Sequence, residues 1–207
     1  MQKEIYFITA TNTDVGKSYA SEVFLNRFAK DGKKVGYYKP IETGVTTTPL
    51  DGTKLLAVTK QLNPDFTPTL DDVVPYQFKL PAAPFVAKNN TTIDIDFIIQ
   101  NTNKLLKQCD ILIVEGAGGL MVPIERNYFI IDLILEFQKE FNSKTILISP
   151  SNLGSINDTM LSQKALESYN IKYDWYINLY KDKKEFKDVT LPFYKVYFQN
   201  NLKFLHE

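Results

Sequence analysis

The chain has 207 residues, of which 44% are hydrophobic, enough for one globular domain with a substantial core. Its 24 Lys and Arg residues balance its 24 Asp and Glu residues, so no basic field is present to bind nucleic acid non-specifically. A single Cys and a single His argue against an internal disulfide, a Cys-based metal cage and a His-based zinc site, and no apolar run predicts a membrane span.

Short apolar segments and amphipathic segments alternate along the chain. In chain order, strands are predicted at 5–10, 35–41, 110–115, 145–149 and 175–179, with a short last strand at 194–198. Helices are predicted at 17–31, 51–62, 94–107, 129–141 and 155–169, and residues between the second and third helices form a loop rich in Pro and Asp. Continuous apolar strands separated by helices predict one doubly wound α/β domain, with a mostly parallel sheet and helices on both faces.

The first polar cluster follows the first strand and matches most of a phosphate-binding P-loop. Gly16, Lys17 and Ser18 stand between a strand and a helix, where backbone N–H groups surround phosphate oxygens and the lysine reaches the outer phosphates. The helix that follows directs its positive N-terminal end toward the same anion. Ala10 and Thr11 stand where such loops carry their first glycine, so the match is partial. The pattern predicts a nucleoside triphosphate enzyme of the P-loop type.

Three further clusters of polar residues and glycines follow later strands. A doubly wound sheet binds its ligand at this position, beyond the carboxyl ends of the strands. Lys39 ends the second strand, and Glu115 ends the third before three glycines, in the arrangement of a Walker B acid that holds Mg²⁺ directly or through water. Residues 152–157 precede a helix whose N–H groups can bind an anion. Each cluster also has a purely structural interpretation. Lys39 would then be an exposed edge lysine, the glycines after Glu115 a plain turn, and residues 152–157 an ordinary helix cap.

Together the clusters resemble the dethiobiotin synthetase family over nearly the whole chain. The resemblance rests on residues 11–18, 38–40, 114–119 and 153–157, with a proline-flanked loop at 81–84. It implies carboxylation of 7,8-diaminopelargonate with CO₂, attack of the carbamate on the γ-phosphate of ATP, and ring closure to dethiobiotin, ADP and phosphate. It also implies a homodimer with sites at the interface, and we expect a cytoplasmic protein because the N-terminus enters a strand without a signal peptide.

The resemblance implies a role for each matching residue. Lys17 and Lys39 would neutralise the carbamate and γ-phosphate, and Thr13 and Thr43 would hydrogen-bond the substrate. Mg²⁺ would be held by oxygens of Ser18, Asp51 and Glu115, with a helix N-cap as a second interpretation of Asp51. The nucleotide would contact Asp14, Val15, Gly16, Lys17, Ser18, Glu115, Gly118 and Asn178. The tail carboxylate of the substrate would meet a helix start of the partner subunit, formed by Gly154, Ser155, Ile156 and Asn157.

Two other functions remain open from the sequence. One is a P-loop switch ATPase that binds partners without synthetic chemistry, although Ala10 and Thr11 replace the extra lysine that many switches carry. The other is an amidoligase that acts on a different diamine or carboxylate. Residues 191–197 lack the usual base-contacting segment of the resembled family, so we expect a looser choice of nucleotide than in a typical member.

Overall fold

Strands and helices alternate in the computed structural model, which describes residues 3–179, 183–199 and 201–205. The described strands are β1 (Glu4–Ala10), β2 (Val35–Tyr38), β3 (Ile41–Thr43), β4 (Tyr76–Phe78), β5 (Ile111–Gly119), β6 (Pro123–Glu125), β7 (Tyr128–Phe129), β8 (Lys144–Pro150) and β9 (Tyr173–Asn178). The described helices are α1 (Lys17–Lys30), α2 (Leu50–Leu62), α3 (Leu70–Val73), α4 (Pro84–Ala87), α5 (Ile95–Leu106), α6 (Ile130–Phe141), α7 (Ser155–Ser168), α8 (Lys183–Val189) and α9 (Leu191–Tyr197). Among the described helices, none is long and apolar enough to cross a membrane.

The main sheet has five parallel strands in the order β2-β5-β1-β8-β9. Neighbouring residues of a strand face opposite sides of a sheet, and Phe7 and Ile8 of β1 are both fully buried. Both faces of the sheet are therefore covered, as an all-parallel sheet requires. The predicted doubly wound α/β fold is confirmed.

The register of the central strands brings the predicted clusters together. Tyr38 at the end of β2 pairs with Val114 of β5, so Lys39 follows beside Glu115. Ile8 of β1 pairs with Glu115 on the other side of β5, two residues before β1 ends and the P-loop begins. Because the carboxyl ends of parallel strands lie at one edge, these clusters share one end of the sheet.

Local residue types explain where the helices begin and end. Asp94 caps α5 by accepting a hydrogen bond from the Phe97 N–H at 3.1 Å, so this helix begins at Ile95. Helix α1 ends at Lys30, followed by Gly32 with a φ of 75°, a left-handed conformation that suits glycine. These caps account for differences of one residue from the predicted bounds.

Two predicted strands differ from the structure because of proline. The strand predicted at 35–41 ends at Tyr38, since Pro40 has no N–H for a sheet ladder. The chain then resumes as β3, which pairs with β4 in a separate two-stranded sheet inside the region predicted as a loop. The strand predicted at 194–198 is wrong: Pro192 suits the first turn of a helix, and α9 buries Tyr194 against Trp175 at 5.2 Å between ring centroids.

Candidate active site

A cavity of about 870 Å³ opens at the carboxyl end of the sheet, within the usual range for small-molecule sites. The part of its wall that the sequence predicted consists of Thr13, Asp14, Gly16, Lys17, Ser18, Lys39, Thr43, Asp51, Glu115, Gly118 and Asn178. An apolar part of the wall includes Leu50, Pro81, Ala82, Ala83, Pro84 and Val122. The cavity therefore combines a charged end with an apolar side.

The P-loop backbone has the conformation of an anion-binding turn. Asp14 and Gly16 have φ angles of 57° and 99°, and α1 begins directly after Gly16. No side chain of the N-cap residue Gly16 caps α1, and the first N–H groups of this helix lie at its end beside the cavity. Any Cβ at this position would lie 2.3 Å from the Asn178 Nδ2 atom, so both the conformation and the space require glycine.

Lys17 is held inside the loop rather than in solvent. Its side chain is buried and its Nζ donates a hydrogen bond to the Asn12 carbonyl oxygen at 3.1 Å. Burial lowers the pKa of Lys17 to about 8, an effect that the charge of Glu115 opposes and the charge of Lys39 reinforces. A phosphate at this position would supply the counter-charge that favours the ammonium form.

Glu115 lies at the centre of the charged end and has no exposed surface. Its Oε1 atom accepts hydrogen bonds from Ser18 Oγ at 2.8 Å and Lys39 Nζ at 2.7 Å. Its Oε2 atom accepts hydrogen bonds from Ser21 Oγ at 2.7 Å and Tyr37 OH at 3.0 Å. Four donors thus satisfy a buried carboxylate, as burial of such a group requires.

Lys39 bridges two carboxylates. Its Nζ lies 2.6 Å from Asp51 Oδ2 and 2.7 Å from Glu115 Oε1. Burial works against the ammonium, but the charges of Glu115 and Asp51 prevail and hold the pKa of Lys39 above its usual value. Burial likewise opposes ionisation of Asp51, yet Lys39 keeps the pKa of that carboxyl below its usual value. Both partners therefore remain charged at neutral pH.

Glu42 is a site residue that the sequence analysis did not identify. It is buried, and its Oε1 and Oε2 atoms accept the backbone N–H groups of Asp51 and Gly52 at 3.1 and 3.0 Å. Glu42 thus serves as the cap of α2, since the N-cap residue Pro49 makes no side-chain hydrogen bond. The sequence signal that could have identified Glu42 is its position three residues after Lys39, in the same cluster at the end of the second predicted strand. The N-cap interpretation of Asp51 fails, because Asp51 lies inside α2.

The oxygen donors near the cavity suit Mg²⁺. Among the described residues, no group of three or more His, Cys, Asp or Glu side chains could hold a metal ion. Ser18, Asp51 and Glu115 instead offer one hydroxyl and two carboxylates, and the two carboxylates already share one cationic partner. Mg²⁺ typically binds to one or two carboxylates and completes its shell with water and phosphate oxygens. This donor set therefore fits Mg²⁺ when a nucleotide is present.

Asn178 joins the end of β9 to the P-loop. It is buried, and its Nδ2 atom donates a hydrogen bond to the Val15 carbonyl oxygen at 2.9 Å. Its Oδ1 atom is also buried and has no hydrogen-bond partner among the residues that the structure describes. Val15 is buried and does not line the cavity, and its contact with nucleotide stays a prediction.

The predicted substrate-tail residues do not line the cavity of their own chain. Gly154 has a φ of 89° and precedes α7, where Ser155, Ile156 and Asn157 form the first turn. Gly154 and Asn157 are exposed, and Leu153 before them is 69% exposed. The structure therefore does not place this helix start in the wall of the cavity of its own subunit.

A P-loop, a buried acid on the adjoining strand and two lysines in one cavity define the chain as a P-loop nucleotide-binding protein. Residues 4–174 match the family described as AAA domain. The chain belongs to the dethiobiotin synthetase family. It is 49% identical over 193 residues to the ATP-dependent dethiobiotin synthetase of Sulfurovum sp. (strain NBC37-1), covering 93% of this chain and 90% of that protein. Identity to the Wolinella succinogenes enzyme is 35% over 192 residues, covering 91% and 87%.

Solved structures resemble the chain in fold alone. The MinC:MinD cell division complex of Aquifex aeolicus aligns with a TM-score of 0.55 and 19% identity, covering 97% of this chain and 79% of the other. A plasmid partition protein from Borrelia burgdorferi aligns with a TM-score of 0.57 and 14% identity, covering 99% and 88%. These matches confirm the P-loop NTPase type of α/β fold.

Proposed function

We propose that the protein is an ATP-dependent dethiobiotin synthetase that converts 7,8-diaminopelargonate and CO₂ into dethiobiotin, with ATP cleaved to ADP and phosphate. The observation that carries the proposal is the convergence of Lys17, Lys39, Ser18, Asp51 and Glu115 on one cavity beside the P-loop. Membership of the family supplies the substrates. The proposal places the enzyme in the cytoplasm, where ATP is available.

The charged residues suit the proposed chemistry. An amine of the substrate takes up CO₂ as a carbamate, a carbamate oxygen attacks the γ-phosphorus, and the bond to the ADP oxygen breaks. The second amine then attacks the carbamate carbon, the urea ring closes and phosphate leaves. Several negative charges must approach one another in these steps, and Lys17 and Lys39 can neutralise them. Thr13 and Thr43 at the cavity wall would hydrogen-bond the substrate.

Mg²⁺ would be held by Ser18, Asp51 and Glu115, and when bound it would neutralise charge on the nucleotide phosphates. In the structure Lys39 pairs with two of these three residues. We propose that Lys39 exchanges this pairing for the carbamate and the γ-phosphate when substrates bind. Asp14, exposed at the start of the loop, would lie near the metal and the diamine.

The buried Oδ1 atom of Asn178 suits an adenine base. No described residue donates to this atom, and a buried acceptor without a donor costs free energy unless a ligand satisfies it. The exocyclic amino group of adenine is such a donor, whereas guanine carries a carbonyl oxygen at the same ring position. We therefore propose that Asn178 reads the base, while Gly16 and Gly118 allow close approach of backbone to the nucleotide.

The substrate tail would be bound across a homodimer. Helix α7 is 14 residues long and presents Gly154 and Asn157 at its exposed N-terminal end. A helix N-terminus favours an anion such as a carboxylate. We propose that this end of one subunit faces the cavity of the other, and that two inactive variants, Lys17→Ala and a bulky substitution at Ser155, restore one working site in mixed dimers. Mixed dimers as inactive as their parents would argue for sites built within single subunits.

The two alternatives receive less support. The switch ATPase rests on fold alone, since the matched division and partition proteins are 19% and 14% identical to this chain. An amidoligase with another substrate would share the phosphate chemistry but not the diamine.

One assay separates these functions. Purified protein is incubated with ATP, Mg²⁺, bicarbonate and 7,8-diaminopelargonate, and phosphate and dethiobiotin are measured. We expect phosphate release that requires the diamine and equals the dethiobiotin formed. Phosphate release that does not depend on the diamine would favour a switch ATPase. Phosphate release that requires another diamine would favour a different amidoligase. Lys17→Ala serves as the inactive control, because loss of its charge should slow turnover by about a hundredfold or more.

A further inference from the structure

We propose that Tyr37 is a positioning residue that fixes the orientation of the Glu115 carboxylate and thereby sets the affinity of the site for its divalent cation. Tyr37 touches neither the cavity nor any proposed ligand of the metal other than Glu115. The inference rests on the proposed function, because it concerns the Mg²⁺ requirement of that same site.

The two oxygens of Glu115 have different surroundings. Oε1 contacts Ser18 and Lys39, which both line the cavity. Oε2 contacts Ser21 and Tyr37, which both lie behind the wall and are fully buried. One oxygen is thus held by donors inside the protein, and only the other is presented to the cavity.

The orientation of a carboxylate depends on such partners. The last torsion of a Glu side chain has no strong rotamer preference, so hydrogen bonds decide where its oxygens point. Hydrogen bonds to an ionised acceptor are short and roughly twice as strong as neutral ones. The Tyr37 hydroxyl donates to Oε2 at 3.0 Å and so helps to fix the orientation of the carboxylate.

The sheet register explains why Tyr37 and not its neighbour makes this contact. Tyr37 of β2 pairs with Ile113 of β5, and Glu115 lies two residues further along β5 on the same face. Tyr38 is also fully buried but points to the opposite face, where its hydroxyl lies 3.5 Å from the Ile98 carbonyl oxygen. Tyr38→Phe is therefore a matched control, since it removes a buried hydroxyl from the adjacent residue without touching Glu115.

The test compares Tyr37→Phe with Tyr38→Phe in two measurements. The first is the Mg²⁺ concentration that gives half-maximal dethiobiotin formation, and the second is the Kd for Mn²⁺ in the presence of a non-hydrolysable ATP analogue, measured by electron paramagnetic resonance. We expect Tyr37→Phe to raise both values about tenfold, the usual effect of losing a partner of a metal ligand. We expect kcat at saturating Mg²⁺ to stay within about twofold of wild type, and Tyr38→Phe to change neither value.

A second comparison shows whether the effect passes through Glu115. In a Glu115→Gln background, adding Tyr37→Phe should change the Mn²⁺ Kd by less than about twofold, since the contact is already altered. Should Tyr37→Phe fail to fold, Ser21→Ala removes the other donor to Oε2 and is expected to raise the same two values.

Unchanged cation constants in a folded Tyr37→Phe variant, or equal shifts in both tyrosine variants, would overturn the inference. A fall in melting temperature with unchanged Mn²⁺ affinity would assign Tyr37 a structural role only. Failure of the proposed function is distinguished separately, because wild-type protein would then bind Mn²⁺ and the analogue without forming dethiobiotin.

Discussion

Replacing Lys39 with Met removes the ammonium from between two carboxylates and keeps an unbranched apolar stem. Lys39 Nζ lies 2.6 Å from Asp51 and 2.7 Å from Glu115, and its side chain is 7% exposed. Removing one partner of a buried ion pair costs about 3–5 kcal/mol, because the charge that remains is uncompensated. The side chain of Asp51 is 43% exposed and regains water, so we expect the lower end, about 3 kcal/mol.

The assay is urea unfolding in parallel with a thermal scan, without nucleotide. A loss of about 3 kcal/mol corresponds to a fall in Tm of roughly 6–12 °C for a chain of this length. Lys34→Met is the matched control, because Lys34 pairs with Asp65 at the same 2.6 Å but the two side chains are 59% and 70% exposed. That exposed pair should contribute far less to the free energy of unfolding, because water screens both charges.

A second variant tests the cause of the loss. Adding Glu115→Gln to Lys39→Met removes the uncompensated buried charge, so the double variant should unfold less easily than Lys39→Met alone. Mg²⁺ should also stabilise Lys39→Met more than wild type, since the two carboxylates lose their competing ammonium. If Lys39→Met and Lys34→Met cost the same, or if Glu115→Gln makes Lys39→Met worse, the reasoning about a buried charged cluster is refuted.

Three further predictions concern Lys17, Glu42 and Asn178. The kcat/KM for ATP should fall as pH rises through about 8, where Lys17 of the free enzyme loses its proton. Between that pH and 10.5 the unfolded chain binds more protons at Lys17 than the folded protein does. The free energy of unfolding of the ligand-free protein should therefore gain a contribution that rises with pH. Glu42→Ala should destabilise the protein by about 2 kcal/mol and raise the Mg²⁺ requirement, because two N–H groups beside Asp51 lose their acceptor. In competition binding, ATP should be preferred over GTP by less than about a hundredfold, roughly 2.7 kcal/mol, and Asn178→Ala should remove most of that preference.

Each of these has a result that contradicts it. A pH profile for kcat/KM that stays flat to pH 10 would show that Lys17 keeps its proton in the free enzyme. Glu42→Gln retains one acceptor oxygen and should lose less stability than Glu42→Ala; equal losses would argue against the hydrogen bonds as the cause. A stronger preference for ATP that survives Asn178→Ala would mean that other residues read the base.

The alternation of apolar strands with helices was enough to predict the α/β fold, because both patterns are local and repeat along the chain. The P-loop and the acid before the glycines were equally local, and the family resemblance drawn from them is confirmed by the relatives. Local patterns failed near proline. Pro40 interrupted a predicted strand, and Pro192 lies in the first turn of a helix in a segment whose aromatic residues suggested a strand.

The contacts within the site were decided by tertiary structure. Lys39 and Ser18 are 76 and 97 residues from Glu115, and only the parallel register of β2 and β5, with α1 above them, brings them to one carboxylate. Tyr37 and Tyr38 are adjacent and equally apolar in the sequence, yet the alternation of a strand sends one to Glu115 and the other to the opposite face. Which oxygen of a buried carboxylate faces a ligand is set by donors from distant segments, and no local pattern records their positions.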